Sequence, residues 1–435
     1  MPGTKMKRRI AMEREIWIHN CRLVTMVQDA EIIDSGVVQV VNGRIARVGI
    51  AEELAGELAA ARSGRAEILD GRGGILMPGL VNAHTHTPMT LFRGMADDLP
   101  LDVWLNEHIF PAEAAQINPE SVARGAGLAA REMLLGGITT CCDGYFHELE
   151  TARALAETGI RVVAGQGVID FPAPGVPDPA ANIAHAQETV AALLESHPLI
   201  HPSIFCHSPY TCGPDTLTRA KVAAKDTNVL FQIHVAESRG EADLIPHLEG
   251  RSIITYLDDL GILDADTLLV HGVWISDTDI ETIAQRGCGL IHCPESNMKL
   301  ASGIAPIPQI LAAGIPVGLG TDGAASNNDL DLFSEMDTAA KLHKVATLDP
   351  CAIPAKTAVQ MATTMGAKAI GLENEIGTIE PGKCADFILI DTDQPHLTPM
   401  FDVYSALVYT VRASDVSMVM VGGEIRVDEG KLIEV

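Results

Sequence analysis

The stretch Pro78-Gly79-Leu80-Val81-Asn82-Ala83-His84-Thr85-His86 decides both the fold and the chemistry of this chain. It is an apolar run that ends in two histidines separated by one residue. In a β-strand, residues i and i+2 face the same side, so His84 and His86 should point to one place. Two imidazoles so placed can form half of a metal site. The alternative is that one histidine is a polar core residue and the other a surface residue.

Eight apolar, strand-like runs follow one another through the middle of the chain. Segments with helical spacing lie between them, such as 121–135, 180–195, 214–225 and 277–285. Eight strand–helix units over roughly 300 residues have the size and rhythm of an α/β protein of the (β/α)₈ TIM-like barrel type. A doubly wound open sheet is the alternative, but no Gly-x-Gly-x-x-Gly sequence opens the first unit. The predicted strands are residues 75–86, 137–145, 160–170, 200–210, 228–237, 267–274, 289–296 and 316–324.

Both ends of the chain are rich in short β-branched runs separated by turn residues. Asn42-Gly43 and Gly422-Gly423 each stand between two such runs, and Asn-Gly in this position is a strong hairpin signal. Two β-rich ends around a different middle suggest that the termini meet in a small β-sandwich. We therefore predict a composite β-sandwich domain from residues 1–75 and 376–435 and a catalytic barrel domain from residues 76–375.

The composition indicates a soluble globular protein and argues against nucleic acid as a partner. The formal net charge is −26, and aromatic residues make up only 4% of the 435 residues. The one basic stretch, Lys5-Met6-Lys7-Arg8-Arg9, stands at a terminus, where we expect a disordered leader. No run approaches the roughly 18 apolar residues of a membrane span. Nine cysteines without a Cys-x-x-Cys pair predict reduced thiols in a cytoplasmic protein.

In (β/α)₈ barrels the chemistry lies at the C-terminal ends of the strands. His84 and His86 end the first predicted strand, His234 falls near the end of the fifth, and Asp322 lies at the eighth. These four residues supply three nitrogens and one oxygen and leave a position for water. A divalent ion there would lower the pKa of that water towards neutrality, so we expect a hydrolytic site. We expect one ion per subunit, with Zn²⁺ the first candidate and iron, manganese or cobalt as alternatives.

Three residues are candidates for proton transfer at this site. Glu237 follows His234 by three residues, so it could shuttle a proton between water, a ring nitrogen and a leaving amine; the alternative is an exposed helix cap. His271, on the sixth predicted strand, would position the water, or else be a buried histidine satisfied by backbone. Asp322 can both ligate the metal and receive the water proton. We interpret His292 as structural.

With these residues assembled, the chain resembles the amidohydrolase superfamily, and within it the deaminases acting on 5'-methylthioadenosine and S-adenosylhomocysteine. The resemblance covers essentially the whole length, including the β-sandwich around the barrel. Metal-bridging lysines occur on the fourth strand of two-metal, amide-cleaving barrel hydrolases, and this strand has none, which favours a mononuclear centre. Besides the opening stretch, the resemblance rests on Met89-Thr90-Leu91-Phe92-Arg93-Gly94, Asp98-Leu99-Pro100-Leu101, His207-Ser208-Pro209-Tyr210, His292-Cys293-Pro294-Glu295-Ser296-Asn297 and Gly320-Thr321-Asp322-Gly323-Ala324-Ala325-Ser326-Asn327-Asn328.

The resemblance implies hydrolytic deamination of a 5'-modified adenosine to the inosine analogue and ammonia, with Glu237 and Asp322 also contacting the substrate. 5'-Methylthioadenosine is the favoured substrate, and S-adenosylhomocysteine and adenosine are alternatives. Family members place a glutamate after a proline to grip the ribose hydroxyls, and Glu113 in Phe110-Pro111-Ala112-Glu113 matches it. His207 is carried over as a nucleoside contact. Trp104 could flank the base or sulfur substituent, or simply pack.

One departure concerns the 5'-substituent. Members of the group that bind the homocysteine tail can use arginines near the end of the third strand, where this chain has Gly165-Gln166-Gly167. Short substituents such as methylthio are therefore favoured, although Arg239 could reach a carboxylate from the fifth loop.

Two other functions stay open at this point. The first is deamination or dechlorination of a triazine or another nucleobase, which would have no ribose for Glu113 to bind. The second, of another class, is a non-catalytic barrel used as a binding module, which predicts missing metal ligands. For partners, we expect a small nucleoside and a homo-oligomer, either dimer or tetramer, with neither nucleic acid nor membrane involved.

Overall fold

The structure is a computed structural model that describes residues 14–246 and 248–433. Within these ranges the strands form two sheets, one of eight and one of nine strands. The basic stretch at residues 5–9 lies outside the described residues. The strands are β1 (Glu15–Leu23), β2 (Ile33–Val41), β3 (Arg44–Ile50), β4 (Glu67–Asp70), β5 (Ile75–Pro78), β6 (Leu80–Thr85), β7 (Ile138–Tyr145), β8 (Arg161–Val168), β9 (Ile200–Cys206), β10 (Leu230–Val235), β11 (Thr267–His271), β12 (Gly289–His292), β13 (Val317–Leu319), β14 (Phe387–Ile390), β15 (Val416–Val421), β16 (Glu424–Asp428) and β17 (Lys431–Leu432).

Helices follow most of the strands of the eight-stranded sheet. A π-helix, Trp104–Ile109, joins α2 to α3, and short 3₁₀ helices span Thr87–Phe92, Pro179–Ala181, Glu241–Leu244, Pro395–Leu397 and Ala413–Asp415. None of the helices in the described part of the chain is long and apolar enough to cross a membrane. The α-helices are α1 (Ala55–Ser63), α2 (Leu101–Val103), α3 (Phe110–Gln116), α4 (Pro119–Leu135), α5 (Glu148–Thr158), α6 (Asn182–Leu193), α7 (Pro214–Thr227), α8 (Ile253–Asp259), α9 (Asp277–Arg286), α10 (Pro294–Lys299), α11 (Ile307–Ala312), α12 (Ala324–Asn327), α13 (Leu332–Thr347), α14 (Ala355–Met361), α15 (Thr364–Ala369) and α16 (Val403–Tyr409).

The eight-stranded sheet is parallel throughout and runs in sequence order from β6 to β13. A parallel bridge between Thr85 and Asp322 links its first strand to the segment after its last, so the sheet is nearly closed. Strands β7 and β8 are buried along their whole length, as expected for strands covered on both faces. The predicted (β/α)₈ barrel is confirmed, with all eight strands in the predicted order.

The helix boundaries follow from capping. The helix predicted at 121–135 begins two residues earlier, at Pro119, because the Asn118 side chain accepts hydrogen bonds from the backbone N–H groups of Glu120 and Ser121. Proline is tolerated at the first helical position, since that N–H would have no partner within the helix. Gly137, with φ +83°, follows the helix end and adopts a conformation that favours glycine.

The first predicted strand, residues 75–86, is wrong as a single element. It divides at Gly79 into β5, which pairs with β1 and β14, and β6, which opens the barrel. A Cβ at Gly79 would lie 2.1 Å from the Thr139 Oγ1 atom, so glycine permits this close passage between sheets. Two successive buried strands produce the same apolar pattern as one long strand, which is why the sequence did not separate them.

The nine-stranded sheet unites both ends of the chain, as predicted. The hairpin turns at residues 42–43 and 422–423 are confirmed by the pairings of Val41 with Arg44 and of Val421 with Glu424. Its strands form one continuous hydrogen-bonded sheet, and side chains from β1, β2, β14 and β15 share one buried cluster. The domain boundaries at 75/76 and 375/376 stay a prediction.

The cysteines of the described chain are free thiols, and all except the exposed Cys351 are buried.

Candidate metal centre and active site

The structure brings together the four residues that the sequence nominates as metal ligands. One nitrogen each from His84, His86 and His234 and one Asp322 oxygen lie within 4.8 Å of one another. The Nε2 atoms of His84 and His234 are 3.1 Å apart, although these residues are separated by 150 positions in the chain. The His86 Nε2 atom is 3.3 Å from Asp322 Oδ1. We call these four residues the ligand cluster.

The protonation of the imidazoles suits a cation. Burial lowers the pKa of His84 to about 4 and holds that of His234 well below its ordinary value, so both rings are neutral near pH 7. The His86 Nδ1 atom is 2.6 Å from the Gly144 carbonyl oxygen and donates to it, which leaves the Nε2 lone pair facing the centre. Three imidazole nitrogens and a carboxylate are a donor set that fits a divalent ion such as zinc.

Asp322 is held in place by several donors. The Gly323 N–H donates to Oδ1 at 2.8 Å, and the hydroxyls of Ser296 and Ser326 donate to Oδ2 at 2.7 and 2.9 Å. Burial disfavours the ionised form, but the hydrogen bond from His84 and the neighbouring imidazoles outweigh burial and hold the Asp322 pKa well below its usual range. Asp322 is therefore a carboxylate with Oδ1 directed at the cluster.

Ser296→Ala is expected to lower the metal affinity about 10- to 100-fold, because it removes a hydrogen bond that orients Asp322. Competition with a chromogenic chelator measures the affinity. Ser196→Ala is the matched control, because the Ser196 hydroxyl lies just beyond α6 and donates to the Leu193 carbonyl at the end of that helix. An unchanged affinity in Ser296→Ala would show that this hydrogen bond does not support the centre.

Glu237 lies just beyond the end of β10 and is not an exposed helix cap, since only 14% of its side chain is accessible. The Ser302 hydroxyl donates to Oε1 at 3.2 Å, and Oε2 lies 3.7 Å from His271 Nε2. Burial and the negative charge of Asp322 raise the Glu237 pKa to about 8. This carboxyl group therefore carries a proton near neutral pH.

His271 ends β11 with a left-handed backbone, φ +73°. Its Nδ1 atom is 3.1 Å from the Asn297 side-chain nitrogen, so its partner is a side chain rather than the backbone considered as the alternative. Its ring centroid is 5.1 Å from that of His234, and burial lowers its pKa to about 4. A neutral His271 thus stands beside the ligand cluster.

A cavity opens onto the ligand cluster. The predicted substrate residues Glu113 and His207 line it together with Glu237 and Asp322, and so does Trp104. The remaining walls are mostly apolar or aromatic and include Leu101, Leu105, Phe110, Tyr145, Phe146, Phe205 and Leu300.

Glu113 and His207 are both fixed by hydroxyl groups. Glu113 lies on α3, is 4% exposed, and accepts a 2.6 Å hydrogen bond from the Tyr145 hydroxyl. Burial raises the pKa of Glu113 to about 7, although the tyrosine hydrogen bond opposes this rise. The His207 Nδ1 atom lies 2.9 Å from the Thr211 hydroxyl, and its ring also lines the cavity.

Gln166 and Arg239, the two residues considered from the sequence as possible neighbours of the 5'-substituent, do not line the cavity. Gln166 is buried, and its side chain accepts from the Glu148 N–H and donates to the Gly167 carbonyl. Arg239 is exposed, and its guanidinium stacks 5.5 Å from the Trp274 ring centroid.

His292 contacts His343, with the two Nε2 atoms 3.1 Å apart and both rings buried, which agrees with a structural role.

Sequence reasoning missed the residues that support the site. Three of them lie within motifs that carried the family resemblance, so the motifs, rather than any spacing rule, contained the signal. Tyr145 and Ser302 had no such signal. The supporting residues are Tyr145, Ser296, Asn297, Ser302 and Ser326.

Residues 75–426 match the model of the amidohydrolase family. The chain belongs to the amidohydrolase family. A relative from Syntrophobacter fumaroxidans, named 5-methylthioadenosine/S-adenosylhomocysteine deaminase, is 43% identical to this chain. The aligned region covers 96% of this chain and 94% of the relative. A 5'-deoxyadenosine deaminase from Methanosarcina mazei is 41% identical, with coverages of 97% and 96%.

The solved structures give the same family. A zinc-bound adenosine deaminase from Xanthomonas campestris superposes with a TM-score of 0.92 at 37% identity, covering 97% of this amidohydrolase and 95% of that chain. All four expected metal ligands of this amidohydrolase are present and adjacent, which contradicts the non-catalytic alternative. The chain is thus an enzyme of a metal-dependent hydrolase family.

Proposed function

We propose that this amidohydrolase deaminates 5'-modified adenosines hydrolytically, giving the inosine analogue and ammonia. The observation that carries the proposal is that His86, His234 and Asp322 of the ligand cluster line one cavity together with a protonated Glu237 and the buried carboxyl group of Glu113. The deaminase names of relatives above 40% identity over nearly the whole chain support the same reaction.

The reaction exchanges the C6 amino group of adenine for an oxygen from water. A divalent ion held by His84, His86, His234 and Asp322 would lower the pKa of a water molecule towards neutrality and so supply the nucleophile. Glu237, with a pKa of about 8, donates its proton to ring N1, which makes C6 more electrophilic. Ionised Asp322 accepts a proton from the attacking water. Collapse of the tetrahedral adduct breaks the C6–N bond: the amino group takes the single proton held by Asp322 and leaves as ammonia, and the proton of the new C6 hydroxyl returns to Glu237 as the carbonyl forms.

His271 assists at the attacking oxygen. Donation from the Asn297 amide to Nδ1 leaves the ring proton on Nε2, the nitrogen that faces Glu237. A neutral donor at this place can hold the attacking oxygen in line with C6 and stabilise the charge that develops on it.

The cavity walls favour a ribonucleoside with a short, apolar 5'-group. The Glu113 carboxylate can accept both ribose hydroxyls, and His207 is the proposed second nucleoside contact. None of the described residues that line the cavity is a lysine or an arginine, whereas Glu113, Glu237 and Asp322 are acidic. A carboxylate on a homocysteine tail would therefore find no cationic partner there, while a methylthio group would contact apolar walls.

A substrate panel tests the proposal. The kcat/KM for 5'-methylthioadenosine is expected to exceed that for S-adenosylhomocysteine by at least about 10-fold, because the tail carboxylate lacks a partner. Ammonia release is measured for both, and for 5'-deoxyadenosine, adenosine and chlorotriazines. Glu113→Gln is the matched variant, since it should impair only substrates that carry ribose. Release from triazines alone, or from none of the adenosines, would contradict the proposal.

We propose one Zn²⁺ ion per subunit, because three imidazole nitrogens and one carboxylate suit zinc and no second group of candidate ligands occurs among the described residues. Metal analysis of the purified protein checks both the identity and the stoichiometry. A homo-oligomeric state and a cytoplasmic location also remain proposals. The free thiols agree with a reducing compartment.

A further inference from the structure

We propose that Tyr145 is the positioning residue of the ribose subsite: its hydroxyl, anchored on the barrel, holds the Glu113 carboxylate in the orientation that accepts the ribose hydroxyls. The inference rests on the proposed function, because it takes Glu113 as the ribose ligand. It adds a residue that does the orienting.

Tyr145 and Glu113 lie in parts of the fold that are held in place differently. Tyr145 is the last residue of β7, so the barrel fixes its backbone. Glu113 lies in the segment between β6 and α4, residues 87–117, which we call the mouth segment. This segment consists of short helices, including the π-helix Trp104–Ile109, and it contributes no strand to the barrel sheet. The hydrogen bond from Tyr145 to Glu113 therefore links the mouth segment to the barrel.

The Tyr145 hydroxyl orients the Glu113 carboxyl group. It donates to Oε1 at 2.6 Å, and among the residues that the structure describes it is the only hydrogen-bond partner of that side chain. The hydrogen bond occupies Oε1 and fixes the plane of the carboxylate. The Oε2 atom and the remaining lone pair of Oε1 stay available to two neighbouring hydroxyls.

The tyrosine ring is itself held firmly. It is 4% exposed and packs against Phe146, with ring centroids 5.4 Å apart, and it lies 6.2 Å from the His86 ring. Tyr145 also shares a buried cluster with Trp104 and Ile109 of the mouth segment. The Glu113 side chain has three rotatable bonds, and immobilising it when the substrate binds would cost conformational entropy. Because Tyr145 already holds it in place, part of that entropy loss is removed from the free energy of binding. Tyr145 should therefore act on ribose affinity more than on the chemical step.

The hydrogen bond also affects the charge of Glu113. Burial raises the Glu113 pKa to about 7, the hydrogen bond from Tyr145 opposes this rise, and no other titratable group in the described chain contributes. Hydroxyl donors bind an ionised carboxylate better than a neutral acid. The KM for a ribonucleoside should thus fall as the pH rises through about 7. Without the tyrosine hydroxyl the Glu113 pKa would be higher, so the decrease in KM should occur at higher pH.

The test compares 5'-methylthioadenosine with its 2',3'-dideoxy analogue. In Tyr145→Phe, the KM for the ribonucleoside is expected to rise about 10-fold, the loss typical of a hydrogen bond to a charged group, with kcat nearly unchanged. The KM for the dideoxy analogue should not change. The pH at which the ribonucleoside KM falls should increase. Tyr256→Phe, which removes another buried tyrosine hydroxyl on α8 outside the cavity, should leave all these values as in wild type.

A second variant keeps the test decisive if Tyr145→Phe fails to fold. Site-specific 3-fluorotyrosine at position 145 keeps the ring and makes the hydroxyl a stronger hydrogen-bond donor. The pH at which the ribonucleoside KM falls should therefore decrease.

An unchanged ribonucleoside KM, or an equal loss on both substrates, would overturn the positioning role while leaving the proposed function intact. If wild-type enzyme releases no ammonia from any adenosine, the proposed function fails, and this inference fails with it.

Discussion

Glu237→Gln is expected to lower the kcat for 5'-methylthioadenosine by about 10²- to 10⁴-fold while bound metal stays at the wild-type level. Glutamine keeps the size of the side chain and can still contact Ser302. It has no acidic proton to give to the substrate ring. Because Glu237 is outside the ligand cluster, its replacement should not release the ion.

Single-turnover kinetics together with metal analysis of the same preparation measure both parts of this prediction. Glu148→Gln is the matched control, since Glu148 is a buried carboxyl group that does not line the cavity. Retained turnover in Glu237→Gln would remove Glu237 from acid catalysis. Loss of metal along with turnover would assign it to the support of the metal centre instead.

His84→Ala is expected to lose metal and activity together. Structural zinc sites gain about 10–16 kcal/mol from all their ligands, so one ligand of four accounts for about 3–4 kcal/mol, or about 10²- to 10³-fold in affinity. The other two histidines and Asp322 cannot compensate, because burial fixes their positions. The remaining activity should follow the metal content when the ion is added back in excess.

Metal content after dialysis, measured beside the rate of ammonia release, checks this result. His201→Ala is the control, because His201 lies near the start of β9, at the opposite end of the barrel from the ligand cluster. Full metal content in His84→Ala would show that the ion sits elsewhere. Full activity without metal would contradict the hydrolytic mechanism.

Much of the barrel could be predicted from the sequence because its signals are local. The alternation of apolar runs with helical segments gave the eight strands in order, and the ends of those runs carried His84, His234 and Asp322. The division at Gly79 was not predictable in this way. It depends on a close approach to Thr139, a residue sixty positions further along the chain, and no local pattern reports such a contact.

The sequence by itself determined which donor atoms stand at the strand ends, and therefore the kind of metal centre that this amidohydrolase can build. Only the tertiary structure decided how those atoms meet and in what state of protonation. It placed the Tyr145 hydroxyl on Glu113, and it gave Glu237 a pKa of about 8. The physical reason is that hydrogen-bond geometry and desolvation depend on contacts between residues far apart in the chain, whereas strand and turn signals depend on near neighbours.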